Sequence, residues 1–190
     1  MFIDLSLPIS VAQISGGEDY VRKIVDAGHA GTHFDVMDKV FPLESFRTKG
    51  KVCDISHIRD REVQIADVAS VPLEPGDTII FHTGYIDELG YDTKHVYVKK
   101  SAELADETVA YLVERGVRLI GVDAAGIQSP KKHAAVDQYC ADRGVFVLEN
   151  LNNVKQLLAL SGPFTIYTAP VHRTDLTGLP CRVLAEAEAA

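Results

Sequence analysis

Short apolar runs alternate with stretches of helical period through the second half of the chain, and this alternation sets the expected architecture. Thr78–His82, Val117–Asp123 and Val145–Glu149 are compact apolar runs bounded by turn residues, so each is expected as a buried strand. Ser101 reads as the N-cap of a helix with acidic first turns and an apolar face of Leu104, Val109, Leu112 and Val113, closed at Arg115-Gly116. A second helix is expected from Ser129-Pro130 to Arg143, stopped by Gly144. Asn150-Leu151 then leads into a short helix through Leu160. Phe164–Tyr167 reads as the final strand, and the small acidic tail from Glu186 to Ala190 is expected to fray.

The first half is richer in strands and turns. Phe2–Ile9 alternates as a strand that Pro8 restricts to an edge or an end. Tyr20, Ile24 and Ala27 place an apolar stripe on a helix over Glu18–Ala27, ended by Gly28. Phe41-Pro42 through Gly50 reads as a loop, Lys51–Ile58 as a short strand, and Pro72 and Pro75-Gly76-Asp77 as turns. Together these elements predict an α/β domain with a mixed β-sheet flanked by helices, and one core spanning residues 1–190.

Charge and composition narrow the function classes. A net charge of −8 repels phosphates and so argues against nucleic acid or an anionic membrane as partner. No basic leader and no apolar run of the roughly 20 residues that span a bilayer is visible. Cys53, Cys140 and Cys181 are odd in number and widely spaced, which fits free thiols in a reducing cytoplasm.

The chemistry concentrates in Gly28-His29-Ala30-Gly31-Thr32-His33-Phe34-Asp35. Two imidazoles and a carboxylate are ligands that suit zinc, manganese or iron. Two glycines disfavour a helix here, and on an extended segment His29, His33 and Asp35 point to one side. Glu149 ends an apolar strand, where a lone charge is costly unless bound to metal or paired. His82 and Tyr85 stand at the end of another strand as candidate pocket residues, and Asp123 as a support from outside the ligand set.

This stretch resembles the His-x-Gly-Thr-His-x-Asp-x-Pro-x-His signature of the cyclase family, metal-dependent hydrolases that include bacterial kynurenine formamidase. His29, Gly31, Thr32, His33 and Asp35 fit it; Met37 replaces the proline and Lys39 the last histidine. Shorter matches follow in order at Ile3-Asp4-Leu5-Ser6, Thr83-Gly84-Tyr85, Glu149-Asn150-Leu151 and Pro180-Cys181-Arg182-Val183. The resemblance implies a swivelling β/β/α-type fold and a one- or two-metal centre held by His29, His33, Asp35 and Glu149. A further family ligand falls on Asp137 when counted back from Glu149 without a gap, or on His133 with a small insertion; both share one helix face.

The family's last motif histidine is its proton shuttle, so Lys39 is the candidate for that role, with His133 as the other. Thr32 and backbone N–H groups near Gly31 are candidates to orient ligands or stabilise an oxyanion. The expectation is one zinc or manganese ion, with the Lys39 ammonium partly replacing a second. Water activated by the metal would hydrolyse an amide, lactone or related cyclic carbonyl of a small molecule. Phe34, Phe41, Phe46 and Tyr85 are the aromatic residues available to stack on it. The alternative is a binding protein without turnover, its shuttle histidine lost to Lys39. Relatives imply a homo-oligomer, a dimer or tetramer.

Overall fold

In the computed structural model, which describes residues 1–14, 19–91 and 96–187, the first half carries β1 (Phe2–Asp4), α1 (Val11–Ile14), α2 (Asp19–Asp26), β2 (His33–Asp35), β3 (Arg47–Asp54), α3 (Ile65–Val68), β4 (Thr78–His82) and α4 (Tyr85–Leu89). The second half carries α5 (Asp106–Glu114), β5 (Leu119–Val122), α6 (His133–Ala141), β6 (Phe146–Glu149), β7 (Phe164–Pro170) and β8 (Gly178–Ala187). The strands form one sheet in the order β1-β8-β2-β6-β5-β4-β3-β7. A further β7–β8 pairing, from Phe164↔Ala187 to Pro170↔Cys181, closes it into a barrel-like ring. Strands β3 to β6 run parallel, whereas β2, β7 and β8 pair antiparallel. The mixed sheet flanked by helices expected from the sequence is therefore present.

Strand alternation separates two cores. Ile79 and Phe81 of β4, with Ile120 and Val122 of β5, face Val109 and Leu112 of α5 and Val136 and Cys140 of α6. Ile80, Leu119, Phe146 and Leu148 face the other way, onto Phe34, Leu179, Val183 and Ala185. Strands β4, β5 and β6 are buried at every position, which is why they read as unbroken apolar runs.

Several expected boundaries move. The Phe2–Ile9 strand shortens to β1, which among the described residues pairs only with β8, and Ser6 makes an isolated bridge to Leu151. The loop expected up to Gly50 ends earlier, because β3 starts at Arg47 and pairs with both β4 and β7. Ser101 is not a helix cap: its hydroxyl donates to Glu103 Oε1, and α5 begins at Asp106. The helix expected from Pro130 begins at His133. Phe164–Tyr167 is not the final strand; β8 follows and takes in Glu186, while residues 188–190 lie outside the described ones. The side chain of Tyr20, placed on the α2 stripe, lies outside them too, and Ile24 is half-buried.

Candidate metal centre

Two residues beyond α2 the chain turns at Gly28, whose φ of +86° suits glycine. A Cβ there would lie 2.0 Å from the Gly178 carbonyl oxygen, so only glycine lets the turn pass this close to β8. The next residues bend into β2, which is pinned between β6 and β8. The antiparallel register sets His33 directly opposite Glu149, and opposed residues share a sheet face. Two side chains 116 positions apart in sequence are thereby neighbours.

His29 Nδ1 and His33 Nε2 lie 3.1 Å apart. His29 Nδ1 is 2.8 Å from Asp35 Oδ1, and His33 Nε2 is 3.5 Å from both Asp35 Oδ1 and Glu149 Oε2. The other ring nitrogens are engaged outside the cluster. His33 Nδ1 donates to the Gly31 carbonyl at 2.8 Å, and His29 Nε2 meets Thr177 Oγ1 at 2.9 Å. These contacts fix the rings with the two remaining nitrogens turned inward. His133 Nε2 lies 3.2 Å from Asp137 Oδ2, 3.5 Å from Glu149 Oε1 and 4.0 Å from Asp35 Oδ2. Both alternatives for the further family ligand thus reach one cluster, one helical turn apart on α6.

Two groups that could hold a metal ion result, His29-His33-Asp35 and Asp35-His133-Asp137-Glu149, and they share Asp35. The carboxylates are 1–3% exposed. Both oxygens of Asp35, both of Asp137 and Oε1 of Glu149 are buried without a hydrogen-bond donor. His29 Nδ1 is close to Asp35 Oδ1 but not aligned with it as donor to acceptor. Orphaned acceptors of this kind are costly unless a cation answers them, so the donor set fits a divalent metal.

Electrostatics agree. Burial pushes the Asp137 carboxyl up to about 9, helped by Asp35, and pushes Glu149 well above its ordinary value, helped by Asp35 and Asp137. Burial also opposes ionisation of Asp35, but His33 and His29 outweigh it and hold that carboxyl well below the usual range. Burial lowers His133 against the pull of Asp35.

Lys39 does not join the cluster. Its ammonium sits at 3.0 Å from Asp38 and 2.8 Å from Asp142 on the outer surface. The cause is Met37, which takes a φ of +55° and turns the chain as it leaves β2. The expectation that Lys39 stands in for a second ion loses its premise. Thr32 is also engaged elsewhere: its hydroxyl donates to the Asn150 carbonyl and accepts from the Leu7 N–H, both at 2.7 Å. Asp123 accepts from the Thr83 and Gly84 N–H groups at 2.6 and 2.9 Å, so it supports that turn rather than the cluster. His82 bonds Asp54 at 3.1 Å, and Tyr85 lies under Arg59 and Lys100.

The cluster floors a cavity of about 300 Å³ whose walls include Ile24, Tyr91, Tyr97, Val98, Pro130 and Asn150. Phe34 and Phe41 instead pack against one another, ring centres 4.6 Å apart, and neither lines this cavity. The aromatic lining comes from Tyr91 and Tyr97, 5.6 Å apart edge to face. Sequence reasoning passed over both, together with Thr177. Asn150, in a left-handed conformation with φ +56°, ties the cavity floor together. It donates to the Gly31 carbonyl at 2.9 Å and accepts from the Tyr97 hydroxyl at 2.7 Å.

Relatives share this frame. The kynurenine formamidase of Bacillus mycoides (strain KBAB4) is 23% identical over 191 residues, covering 94% of this chain and 86% of its own. The solved structure of a potential metal-dependent hydrolase with cyclase activity superposes with a TM-score of 0.76 at 21% identity, covering 100% of this chain and 99% of its own. Isatin hydrolase A from Ralstonia solanacearum gives a TM-score of 0.72 at 19% identity, over 99% of this chain and 92% of its own. The family model Cyclase ("Putative cyclase") matches residues 3–129, a span that holds His29, His33 and Asp35. With well over half its length matched and the signature residues gathered in one cluster, the chain belongs to the Cyclase family.

Proposed function

We propose that this protein is a metal-dependent hydrolase of a small amide or cyclic amide, working through two groups of residues that share Asp35 and would each hold a cation. The observation that carries the reading is the set of buried carboxylate oxygens of Asp35, Asp137 and Glu149, left without donors beside three imidazoles. His29, His33 and Asp35 would hold one cation, and Asp35, His133, Asp137 and Glu149 the other. Divalent metal bound there would polarise a carbonyl and lower the pKa of water toward neutrality. Zinc and manganese both suit these donors.

The remaining residues shape the reaction space. Ile24, Val98 and Pro130 offer apolar walls that hold the hydrocarbon part of a substrate and exclude water. A cavity of about 300 Å³ suits one ring and its acyl group. The relatives named kynurenine formamidase and isatin hydrolase support a carbon–nitrogen bond as the target.

The test is a panel of formanilides, cyclic imides and lactones, assayed with protein stripped of metal and reloaded with zinc or manganese. Turnover that follows metal content and is lost in His33→Ala is the expected result. The outward position of Lys39 favours the alternative, a metal-binding protein without turnover. Stoichiometric metal with no hydrolysis across the panel would establish that alternative instead.

A further inference from the structure

We infer that Tyr91 supplies the hydrogen bond that meets the carbonyl oxygen of the bound substrate, an inference that rests on the hydrolase reading above. Most side-chain donors around the cavity are already committed to partners among the described residues. Carboxylates accept only, and the imidazole nitrogens turned inward are cation ligands. The Thr32 hydroxyl proton is given to the Asn150 carbonyl and the Tyr97 proton to Asn150 Oδ1. One of the two Asn150 Nδ2 protons is given to the Gly31 carbonyl, and the Gly31 N–H donates to Tyr91 at 2.8 Å.

That last bond is the informative one. A phenol oxygen accepts and donates at once, and here its accepting side is occupied by a backbone N–H that cannot be removed by side-chain rotation. Its own proton has no partner among the described residues, and the ring lines the cavity beside His29, His33, His133 and Glu149. The Gly31 N–H anchors the oxygen, and the edge-to-face contact with Tyr97 steadies the ring. A donor held in place before the ligand arrives costs little to reorient when charge develops on a carbonyl oxygen. Lys39 cannot play this part from the outer surface, where Asp142 and Asp38 hold it.

The experiment uses the zinc-loaded protein and its Tyr91→Phe variant. Benzohydroxamate, whose carbonyl mimics the substrate's, is titrated by calorimetry, and formanilide hydrolysis is followed in parallel. At equal zinc content the variant is expected to bind benzohydroxamate about tenfold more weakly, the worth of one hydrogen bond to a ligand. Its kcat is expected to fall about a hundredfold, as for loss of one oxyanion donor, and its KM to rise with the weaker hold on the carbonyl. Equal affinity and equal kcat would overturn the assignment while leaving the hydrolase reading intact. Loss of zinc in the variant would also overturn it, by showing that the hydroxyl serves the Gly31 turn. If the wild type hydrolyses nothing yet the affinity difference stands, the donor is upheld and the hydrolase reading falls.

Discussion

Met37 holds a φ of +55°, a conformation that costs an L-residue about 1–2 kcal/mol. Its N–H, like that of Val36, donates to the Thr177 carbonyl. Proline, which the family signature has at this position, is fixed near φ −65° and has no N–H. Met37→Pro is therefore expected to destabilise the protein by more than about 1 kcal/mol, and Met37→Asn, which tolerates the left-handed region, by less. Urea unfolding of both checks this, and equal midpoints would refute it. The same turn carries Lys39 outward, so Lys39→Met should leave metal content and turnover unchanged and cost at most about 1 kcal/mol, as exposed ion pairs do. A large drop in either would return Lys39 to the site. At this scale the sequence disclosed the cluster residues that lie close together, because His29, His33 and Asp35 sit on one short segment. Tyr91 and Thr177 stayed hidden because their partners, Gly31 and His29, are 60 and 148 positions away. No local pattern marks such a contact.

Between elements, the centre depends on how α6 meets the sheet. His133 opens α6, and its ring lies against Gly126, which has a φ of +142°. A Cβ on Gly126 would stand 2.7 Å from His133 Nδ1 and 3.1 Å from its Cε1. Gly126→Ala should thus push the imidazole out of reach of Glu149 and Asp137. The expected result is about a 10–100-fold loss of affinity for the second equivalent of zinc, the usual scale for disturbing a ligand's support, with the first equivalent retained. Competition with a chromogenic chelator reads both, and two unaltered sites would contradict the placement of His133. Strands β4 and β6 were legible because burial on both faces leaves an uninterrupted apolar run. Strand β8 was not. Its inward positions near the end are Val183, Ala185 and Ala187, and the small acidic stretch from Glu186 reads as a tail rather than the end of a strand. Yet β8 both closes the ring and borders β2, so the longest strand was the one least marked by its residues. Ser101 misled in the opposite way, since its hydroxyl serves Glu103 instead of capping a helix.

For the whole molecule, metal and stability are linked through protons. In the metal-free fold Asp137 titrates near 9 and Glu149 well above its ordinary value, against 3.8 and 4.5 for the free groups. A carboxyl whose folded pKa is raised stabilises the fold fully below its unfolded pKa, and the contribution is lost as pH rises toward the folded value. Asp35, held low, acts the other way, but its contribution is already complete above about pH 4. His133, lowered from 6.5, makes the fold gain stability with pH only up to about its unfolded value. Between about pH 7 and pH 9 the two raised carboxyls therefore dominate, and the chelated protein should melt at progressively lower temperature. Divalent metal displaces those protons, so its affinity should climb over the same range and protons should be released on binding. Calorimetry of chelator-treated and zinc-loaded protein should show a gap in melting temperature that widens with pH. A gap of constant size, or zinc binding without proton release in a weakly buffered titration, would mean that Asp137 and Glu149 are not the groups that answer the metal.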